Sequence, residues 1–526
     1  MQPADNDEGL VHLQPKVSFD GGDLDCGNGL LLLIRKHIDP LLPGELLEIR
    51  SRESSVAEDL PAWCRMTAND LIRVQRDKHE SRYLVSKGPN SNRSNTVREL
   101  NTSPPTEIIV DGRPLAGHSS AVAPSDGSST RRVVAPIPEL AVMGIGSWPR
   151  PTWLMRALGE RLQGRMTEAD FQATADDAVR LVLDSQRQAG VDVLTDGEQR
   201  RDSYSGFVGA ILDNCQLIPL TDLLPYVSDP ESFAAELRAL DVPAAEVRHP
   251  AVFGPLARSR PLAVAEYEFV AKRSPLPVKI ALPGPYLLTR TMWLECVSDR
   301  AYDSRESLAE DIVRVLRQEL LDLLQCGTSL VQFDEPVLSE VVFAVRAERR
   351  SFMCGALGER LPAEQELEFA LGLFRKLTAG LPIDRIGIHI CRGNWTPDES
   401  KALSGSYEPL LDFLCRVPVG NYFLEACTPR AGEWQGLTAL PADRRLGLGM
   451  VNQKLPHVES VTEIRERLQK ALDLFGSRLM LTPDCGFATF ADNPISSTEI
   501  ATAKLATLVQ ARNEILGKSR RELTSQ

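Results

Sequence analysis

The fold of this protein is decided by a helical stretch that leads into a buried strand. The helical stretch reads Asp311-Ile-Val-Arg-Val-Leu-Arg-Gln-Glu-Leu-Leu-Asp-Leu-Leu324, and the strand that follows reads Leu330-Val-Gln-Phe333. Apolar residues recur at helical spacing in the first segment, whereas the second is the short, largely apolar run that is typical of a buried parallel strand. Together the two segments predict one unit of an alternating α/β fold.

Runs of the same β type recur along the C-terminal part of the chain, with helical segments between them. In chain order the eight runs are 140–146, 191–195, 278–282, 330–333, 386–390, 422–425, 446–451 and 479–482. Eight βα units predict a (β/α)8 TIM barrel, whose functional residues lie where its strands end. The second and third runs are further apart than one unit requires, so we expect an extra, mostly helical excursion at about residues 205–270.

The barrel takes up only part of the 526 residues. Residues 89–132 are rich in Ser, Asn, Pro, Gly and Thr, which is the composition of a flexible linker. This linker separates an N-terminal domain, residues 14–88, from the barrel domain, residues 133–520. Strand-like and helical segments alternate in the N-terminal domain, with a second helix expected around residues 56–72, and they predict a small α+β two-layer sandwich.

Composition and charge exclude several classes of function. The 59 basic and 72 acidic side chains give a net charge of -13, which argues against nucleic acid as a partner because phosphate binding needs a basic surface. No apolar run approaches the roughly 20 residues that cross a bilayer, and the N-terminus lacks the pattern of a signal peptide. We therefore expect a cytoplasmic protein whose ten cysteines are free thiols, ligands or nucleophiles.

Polar residues follow the predicted barrel strands at the points where these end. They are Ser147, Glu198, Asp334, His389, Cys391, Glu425, Lys454 and Cys485. Because parallel strands of a barrel end at the same face, we expect these side chains to share a central pocket.

Four of these residues predict a metal site. His389 and Cys391 are two positions apart, so they lie on the same side of a strand. One such pair by itself is more typical of a packed core. Cys485 and Glu425 follow other strands of the same barrel, however, and the set of two sulfurs, one nitrogen and one oxygen is suited to tetrahedral Zn²⁺.

The motifs at these strand ends also carry a family resemblance. They are Ile145-Gly-Ser-Trp-Pro149, Asp196-Gly-Glu198, Gly284-Pro285, Gln332-Phe-Asp-Glu-Pro336, His389-Ile-Cys391, Leu424-Glu425 and Pro483-Asp-Cys-Gly486. In order and spacing, residues 136–515 resemble the catalytic barrel of cobalamin-independent methionine synthase, within the superfamily that also holds uroporphyrinogen decarboxylase. The resemblance implies zinc ligands at His389, Cys391, Glu425 and Cys485. It also implies that the amino and carboxylate groups of homocysteine are held by Ile145, Ser147, Glu198 and Asp334.

The implied reaction is a zinc-dependent transfer of a methyl or other alkyl group to a homocysteine-like thiol. Zinc coordination deprotonates a thiol whose free pKa is about 8.5. Glu198 and Asp334 suit a substrate ammonium, although either is also compatible with a structural role. Lys454 stands where the family has a histidine proposed to protonate the departing pterin, so we expect Lys454 to be catalytic. The alkyl donor stays open between a folate, a corrinoid protein, a small methylated thiol and another electrophile.

The N-terminal domain resembles the TusA/SirA sulfur-carrier family. Cys26 lies directly before a predicted helix, where the unpaired amides of the first turn lower the pKa of a thiol. In the family this cysteine carries persulfide sulfur within a Cys-Pro-x-Pro motif, and here Gly27 and Gly29 replace both prolines. Cys26 is therefore either a sulfur carrier, with a cysteine desulfurase as a possible partner, or part of a module that serves only for docking.

Three functional hypotheses follow from the sequence. The first is a zinc-dependent alkyltransferase of the methionine synthase type with a fused sulfur carrier. The second is a sulfurtransferase in which Cys26 persulfide is delivered to an acceptor in the zinc barrel. The third is a non-catalytic sulfur-relay adaptor.

Overall fold

A computed structural model of the chain describes residues 14–24, 30–77, 80–89, 134–162, 165–219, 248–293, 298, 301–343, 361–394, 398–488 and 496–517. The chain divides into two compact units, of which one comprises residues 1–23 and 37–132 and the other comprises residues 24–36 and 133–526.

The N-terminal part contains a four-stranded sheet and two helices. The strands are β1 (Val17–Asp20), β2 (Leu46–Ser51), β3 (Asp70–Arg76) and β4 (Ser81–Ser86), and the helices are α1 (Leu30–Ile38) and α2 (Val56–Met66). The strand order is β1-β2-β4-β3, with β1 parallel to β2 and β4 antiparallel to both β2 and β3. The helices and strands alternate as the sequence predicts for an α+β domain.

The prediction of a helix that reaches residue 72 is wrong, because α2 ends at Met66. The hydroxyl of Thr67 donates to the carbonyl of Trp63 at 2.8 Å, and Ala68 adopts a left-handed conformation with φ 55°. The Asn69 amide then donates to the Cys64 carbonyl. These contacts turn the chain out of the helix and into β3.

The C-terminal part is built on a six-stranded parallel sheet in the order β7-β8-β9-β10-β11-β12. Its strands are β7 (Lys279–Pro283), β8 (Leu330–Asp334), β9 (Ile386–Ile390), β10 (Asn421–Leu424), β11 (Arg445–Val451) and β12 (Leu479–Pro483). They correspond to the last six predicted runs. The first two runs form isolated parallel bridges instead, which pair Val142 with Leu481, Met143 with Val193, and Leu194 with Val278. Residues 142–143 and 193–194 thereby connect the two edges of the sheet.

Helices alternate with these strands. They are α3 (Thr152–Leu162), α4 (Glu168–Ala189), α5 (Val264–Ala271), α6 (Pro285–Met292), α7 (Arg305–Cys326), α8 (Val337–Phe343), α9 (Ala363–Thr378), α10 (Leu411–Arg416), α11 (Val461–Phe475) and α12 (Thr498–Ile515). Short 3₁₀ helices are Gly206–Ala210, Ile383–Arg385, Glu399–Lys401, Glu408–Leu410, Pro429–Ala431, Trp434–Ala439 and Gly476–Arg478. Among the described residues, no helix is long and apolar enough to span a membrane.

The predicted excursion between the second and third runs is not mostly helical in its described residues. It contains β5 (Asp213–Pro219) and β6 (Arg248–Ala257), which pair antiparallel, before the short helix α5. Strand β6 includes Pro250, Gly254 and Pro255. Proline lacks the N–H that a helix interior requires, so this stretch favours an extended conformation at a sheet edge.

Apolar residues on the two faces of the parallel strands belong to different clusters. On β8, Val331 and Phe333 pack in the large core that the strands share with the surrounding helices. Leu330 lies on the opposite face, in a smaller cluster with Ala141, Met143, Ile145, Val193, Phe423 and Met480. Both faces of the sheet are therefore buried, and the polar residues that follow the strands have one place to converge, at the carboxyl ends.

Candidate metal centre and substrate site

The predicted site residues follow neighbouring strands of the parallel sheet. Asp334 is the last residue of β8, Cys391 follows β9, and Glu425 follows β10. Lys454 and Cys485 lie in the loops after β11 and β12. Because adjacent parallel strands end at the same edge, the fold brings these five residues to one end of the sheet.

Three of the four predicted metal ligands meet in one cluster. The candidate ligand atoms of His389, Cys391 and Cys485 all lie within 4.8 Å of one another. The Cys485 Sγ is 3.5 Å from the His389 Nε2. Tetrahedral zinc, with Zn–S of about 2.3 Å and Zn–N of about 2.05 Å, would separate a sulfur and a nitrogen ligand by about 3.6 Å. The donor types and the spacing of this cluster fit zinc.

A hydrogen bond fixes the orientation and the tautomer of His389. Its Nδ1 is 3.0 Å from the carbonyl oxygen of Phe423, which can only accept, so Nδ1 carries the proton and donates it. The other ring nitrogen, Nε2, then faces Cys485. Metal-binding histidines are commonly held in this way by a backbone carbonyl behind the ring.

The pKa values of the two cysteines of the cluster are shifted in opposite directions. The hydrogen bond from Cys485 lowers the pKa of Cys391 well below its ordinary value, and the charge of His389 acts in the same direction. The same contact raises the pKa of Cys485 well above its ordinary value. Cys391 is therefore the sulfur that loses its proton more readily, and a metal ion that binds both sulfurs would displace the proton of Cys485 as well.

Glu425, the fourth predicted ligand, does not belong to this group of described residues. Its Oε1 accepts a hydrogen bond from Arg430 Nε at 2.7 Å, and its Oε2 accepts one from the backbone amide of Arg392 at 2.9 Å. Burial, followed by the charge of Asp484, raises the pKa of Glu425 to about 8. Coordination by Glu425 stays a prediction.

Arg430 is a site residue that sequence reasoning missed. Besides Glu425 it pairs with Glu399, and its charge acts on Lys454. Arg430 lies in a 3₁₀ turn after β10, where neither periodicity nor a strand end marks it. Lys454 is only 2% exposed. Burial and the charge of Arg430 lower the pKa of Lys454.

Asp484 connects the loops that carry the predicted ligands. Its Oδ1 accepts from the backbone amides of Ala426 and Cys427 at 2.8 and 2.9 Å, and its Oδ2 accepts from the Cys427 thiol at 2.7 Å. The Cys427 thiol therefore donates a hydrogen bond to a carboxylate whose residue directly precedes Cys485. Because Cys485 follows Asp484 directly, these bonds hold Cys485 in place against the loop after β10.

Glu198 is held in an unusual backbone conformation. Gly197 and Glu198 both have positive φ, 70° and 56°, which a glutamate rarely adopts. The Asp196 carboxylate accepts from the Glu198 amide at 2.9 Å, and Arg150 Nη2 donates to the carbonyls of Glu198 and Arg201 at 2.7 and 2.9 Å. Strain of this kind persists only where surrounding contacts compensate for it, and it is common at functional sites.

The Glu198 side chain is buried, and one of its carboxylate oxygens accepts no hydrogen bond from the described residues. Among the described residues, its Oε2 has no hydrogen-bond partner. Burial raises the pKa of Glu198 to about 7, against the opposing charges of Arg201 and Arg150. A buried carboxylate oxygen without a partner costs free energy unless a ligand supplies the donor.

The other residues predicted to bind the substrate, Asp334, Ser147 and Ile145, differ in their contacts. Asp334 accepts a hydrogen bond from Gln332 at 2.7 Å, and its charge acts on both His389 and Glu198. The Ser147 carbonyl and hydroxyl accept from the amides of residues 487 and 488, so Ser147 contacts the loop of Cys485. The Ile145 side chain packs in the smaller apolar cluster, which leaves its backbone for a ligand. Cys26 lies outside the described residues.

The parallel α/β fold and the His–Cys–Cys cluster at its strand ends define an α/β protein with a candidate zinc site. The chain belongs to the family described as "Cobalamin-independent synthase, Catalytic domain", which it matches over residues 140–228, 232–364 and 406–513.

Similar proteins include methionine synthases of archaea. That of Sulfurisphaera tokodaii is 27% identical over 357 residues, 66% of this chain and 86% of the relative. That of Pyrococcus horikoshii is 26% identical over 388 residues, 73% of this chain and 97% of the relative. A 5-methyltetrahydropteroyltriglutamate–homocysteine methyltransferase of Streptomyces griseus subsp. griseus is 27% identical over 386 residues, 71% of this chain and 44% of the relative.

A solved structure is similar in fold. It is a B12-independent methionine synthase from Shewanella sp. W3-18-1 in complex with selenomethionine, with a TM-score of 0.54 and 22% identity. The similarity covers 74% of this chain and 100% of that chain.

Proposed function

We propose that this protein is a zinc-dependent S-methyltransferase that transfers a methyl or other alkyl group to the thiol of a homocysteine-like amino acid. The observation that carries the proposal is the cluster of His389, Cys391 and Cys485 at the strand ends. The chain's membership of the cobalamin-independent synthase family supports it. In this proposal the parallel sheet closes into a (β/α)8 barrel through residues 142–143 and 193–194.

His389, Cys391 and Cys485 would hold the zinc ion, with Glu425 as the fourth ligand. Zinc bound there supplies a Lewis acid that keeps the substrate sulfur deprotonated at neutral pH, whereas the free thiol has a pKa of about 8.5. The hydrogen bond from His389 Nδ1 to the Phe423 carbonyl keeps Nε2 turned toward the sulfurs. Ligand orientation is thus set by the chain before a metal binds.

Glu198 and Asp334 bind the substrate's ammonium group in this proposal. Each is a buried carboxylate, and an ammonium offers up to three donors to the unmatched Glu198 oxygen and to Asp334. The strand end from Ile145 to Ser147 holds the substrate's carboxylate. Since the charge of Asp334 acts on both Glu198 and His389, this carboxylate links the ammonium site to the metal cluster.

Lys454 protonates the departing group of the alkyl donor. An ordinary lysine is a poor acid at neutral pH, but burial and the neighbouring Arg430 lower the pKa of Lys454. A lowered pKa makes its Nζ a better proton donor, which suits the position that a histidine takes in the family.

The N-terminal domain, residues 14–88, is proposed to be a TusA-like sulfur carrier in which Cys26 bears the persulfide. A linker at residues 89–132 joins it to the barrel domain at residues 133–520. The sequence resemblance supports this part of the proposal, together with the alternation of β1, α1, β2 and α2.

The test measures zinc content and methyl transfer on the full chain. We expect about one zinc per chain, and methionine formation from homocysteine with at least one donor among methyltetrahydrofolates, a methylated corrinoid and an S-methylated thiol. Cys485→Ala should lose both zinc and turnover. Cys415→Ala, which removes an exposed thiol, should keep both. A wild-type protein that takes up no zinc, or that forms no methionine from any donor, would overturn the proposal.

A further inference from the structure

Lys279 is a buried cation for which the reaction described above has no use. It begins β7, and its side chain is 0% exposed. Its Nζ lies 4.3 Å from the centre of the Phe423 ring and donates a hydrogen bond to Gln332 Oε1 at 2.8 Å. Placing an ammonium group in a protein interior is costly unless hydrogen bonds and charges compensate for it. The contacts of Lys279 therefore indicate what it does.

The hydrogen bond from Lys279 sets which way the Gln332 amide points. An ammonium group can only donate, so it must face the amide oxygen, and the amide nitrogen must face the opposite side. On that side Gln332 Nε2 donates to Asp334 Oδ1 at 2.7 Å. Without Lys279 the amide oxygen would lose its donor, and the Gln332 side chain would be held from the Asp334 side alone. Lys279 thus fixes the position from which Gln332 donates to Asp334.

Lys279 also balances the negative charge of the ammonium site. Burial lowers the pKa of Lys279 to about 7, while the charges of Asp334 and Glu198 act to raise it. Conversely, burial raises the pKa of Asp334, and the charge of Lys279 and the Gln332 hydrogen bond both oppose that rise.

We propose that Lys279 is a positioning residue that acts through Gln332 to hold the Asp334 carboxylate correctly oriented for the ammonium group of the amino-acid substrate. Lys279 itself touches neither the thiol nor the metal cluster in this scheme. The inference rests on the proposed function, because it presupposes a substrate with an α-amino group.

The experiment compares two thiols that differ only in this group, L-homocysteine and 4-mercaptobutyrate. In Lys279→Met, kcat/KM for homocysteine should fall by about tenfold or more, mainly through KM, because a hydrogen bond to a charged group is lost. For 4-mercaptobutyrate kcat/KM should stay within about twofold, as expected for an unchanged metal site. Zinc content should not change. Lys279→Arg, which keeps the charge, should recover part of the loss.

A double-mutant cycle tests whether Lys279 affects homocysteine use through Asp334. If Lys279 acts through Asp334, Lys279→Met in an Asp334→Asn background should cause little further loss for homocysteine, whereas independent effects would add. Equal losses for both thiols, or additive losses in the cycle, would overturn the inference and leave Lys279 a structural residue. Should Lys279→Met not fold, Lys279→Gln removes the charge while keeping a donor for Gln332.

Calorimetry separates failure of this inference from failure of the proposed function. Zinc-loaded wild type that turns over neither thiol contradicts the proposed function, yet both thiols can still be titrated into the wild type and Lys279→Met. A preference of the wild type for homocysteine that Lys279→Met abolishes supports the inference. The absence of any such preference in the wild type, or its persistence in the variant, overturns it.

Discussion

Gly146 lies against the Glu198 carboxylate with no room for a side chain. A Cβ at Gly146 would come 2.2 Å from Glu198 Oε1 and 3.3 Å from the Ala281 Cβ. The first contact is far inside van der Waals distance, so an alanine here must displace the carboxylate. Gly144, two residues earlier, has no atom within 4 Å of the position that its Cβ would take. The two glycines therefore make a matched pair for testing the role of Glu198.

We predict that Gly146→Ala weakens use of homocysteine without removing zinc. Moving a buried carboxylate away from a substrate ammonium should lower kcat/KM by about tenfold or more, since a charge-assisted hydrogen bond is lost. Steady-state kinetics and zinc analysis measure the two effects. Gly144→Ala should match the wild type in both. Equal kinetics in the two variants would show that Glu198 does not bind the substrate.

The pKa of Glu198 predicts how substrate use depends on pH. Burial raises it to about 7, so the carboxylate becomes ionised as the pH rises through that value while the substrate's ammonium stays charged. Lys279 loses its charge over the same range, because its pKa is also about 7. The contribution of Glu198 is therefore the ratio of kcat/KM for homocysteine in the wild type to that in Glu198→Gln, and this ratio should increase with pH through about 7. If 4-mercaptobutyrate, which lacks the ammonium, shows the same increase, another group is responsible.

Individual site residues differ in how far the sequence predicts them. The proximity of His389, Cys391 and Cys485 was predictable because parallel strands end at one edge, and in the structure their candidate ligand atoms lie together. Their role as metal ligands stays a prediction. The contact of Glu425 with Arg430 could not be predicted from the sequence, because it depends on the path of a loop that has no periodic pattern. Lys279 did leave a signal, a lysine in the apolar run Val278-Lys-Ile-Ala-Leu282, which is unusual for a buried strand.

Glu335 joins the end of β8 to the start of α6. Its Oε1 and Oε2 accept from the backbone amides of Tyr286 and Leu287 at 2.8 and 2.9 Å, which lie in the first turn of α6 and have no partner within that helix. A Cβ on Gly284 would come 2.1 Å from Glu335, so only glycine fits that turn. With Glu335 anchored to the helix, the preceding residue, Asp334, faces the opposite side of the chain.

We predict that Glu335→Ala destabilises the barrel domain and impairs homocysteine binding. The loss leaves two buried amides without their acceptor, which costs on the order of 2 kcal/mol or more. Thermal unfolding should show a lower Tm, and KM for homocysteine should rise because Asp334 loses its anchor. Glu466→Ala removes an exposed glutamate of α11 and should change neither quantity. An unchanged Tm in Glu335→Ala would mean that α6 does not depend on this carboxylate.

Among the elements, buried parallel strands were the easiest to predict. Runs such as Ile386–Ile390 are largely apolar and buried throughout because both faces of the sheet are covered, and flanking turns mark their ends. The hairpin strand β6 was missed, because Pro250 and Pro255 interrupt the pattern and are typical of turns. The α2–β3 boundary was missed for another reason, since Ala68 turns the chain in a conformation that alanine seldom adopts.

At the level of the whole chain, the parallel α/β fold and the family of the C-terminal part are established. The (β/α)8 barrel and the division into domains stay predictions. The compact units separate after residue 132, whereas residues 24–36 group with the C-terminal unit. The pattern of apolar residues identifies a folded domain because a buried core requires apolar side chains at regular positions. How two domains lie relative to each other depends on surface contacts, which leave no periodic signal in a sequence.

Limited proteolysis tests the predicted linker at 89–132. If the prediction from its composition is right, a protease should reach this segment before the packed domains. Four arginines within it are followed by residues that permit tryptic cleavage, namely Arg93, Arg98, Arg131 and Arg132. Brief digestion of the full chain should therefore yield two stable fragments, and mass spectrometry should place the first cuts at these positions. Zinc should remain with the larger fragment, which contains His389, Cys391 and Cys485.

The control is a variant in which these four arginines are replaced by glutamine, and its first cleavage should be markedly slower. First cuts within residues 134–517 of the wild type would contradict the predicted boundary, because they would mean that the barrel domain opens more readily than the segment before it. Two fragments that stay together after cleavage, on a sizing column, would instead show that the two domains bind each other without the covalent connection.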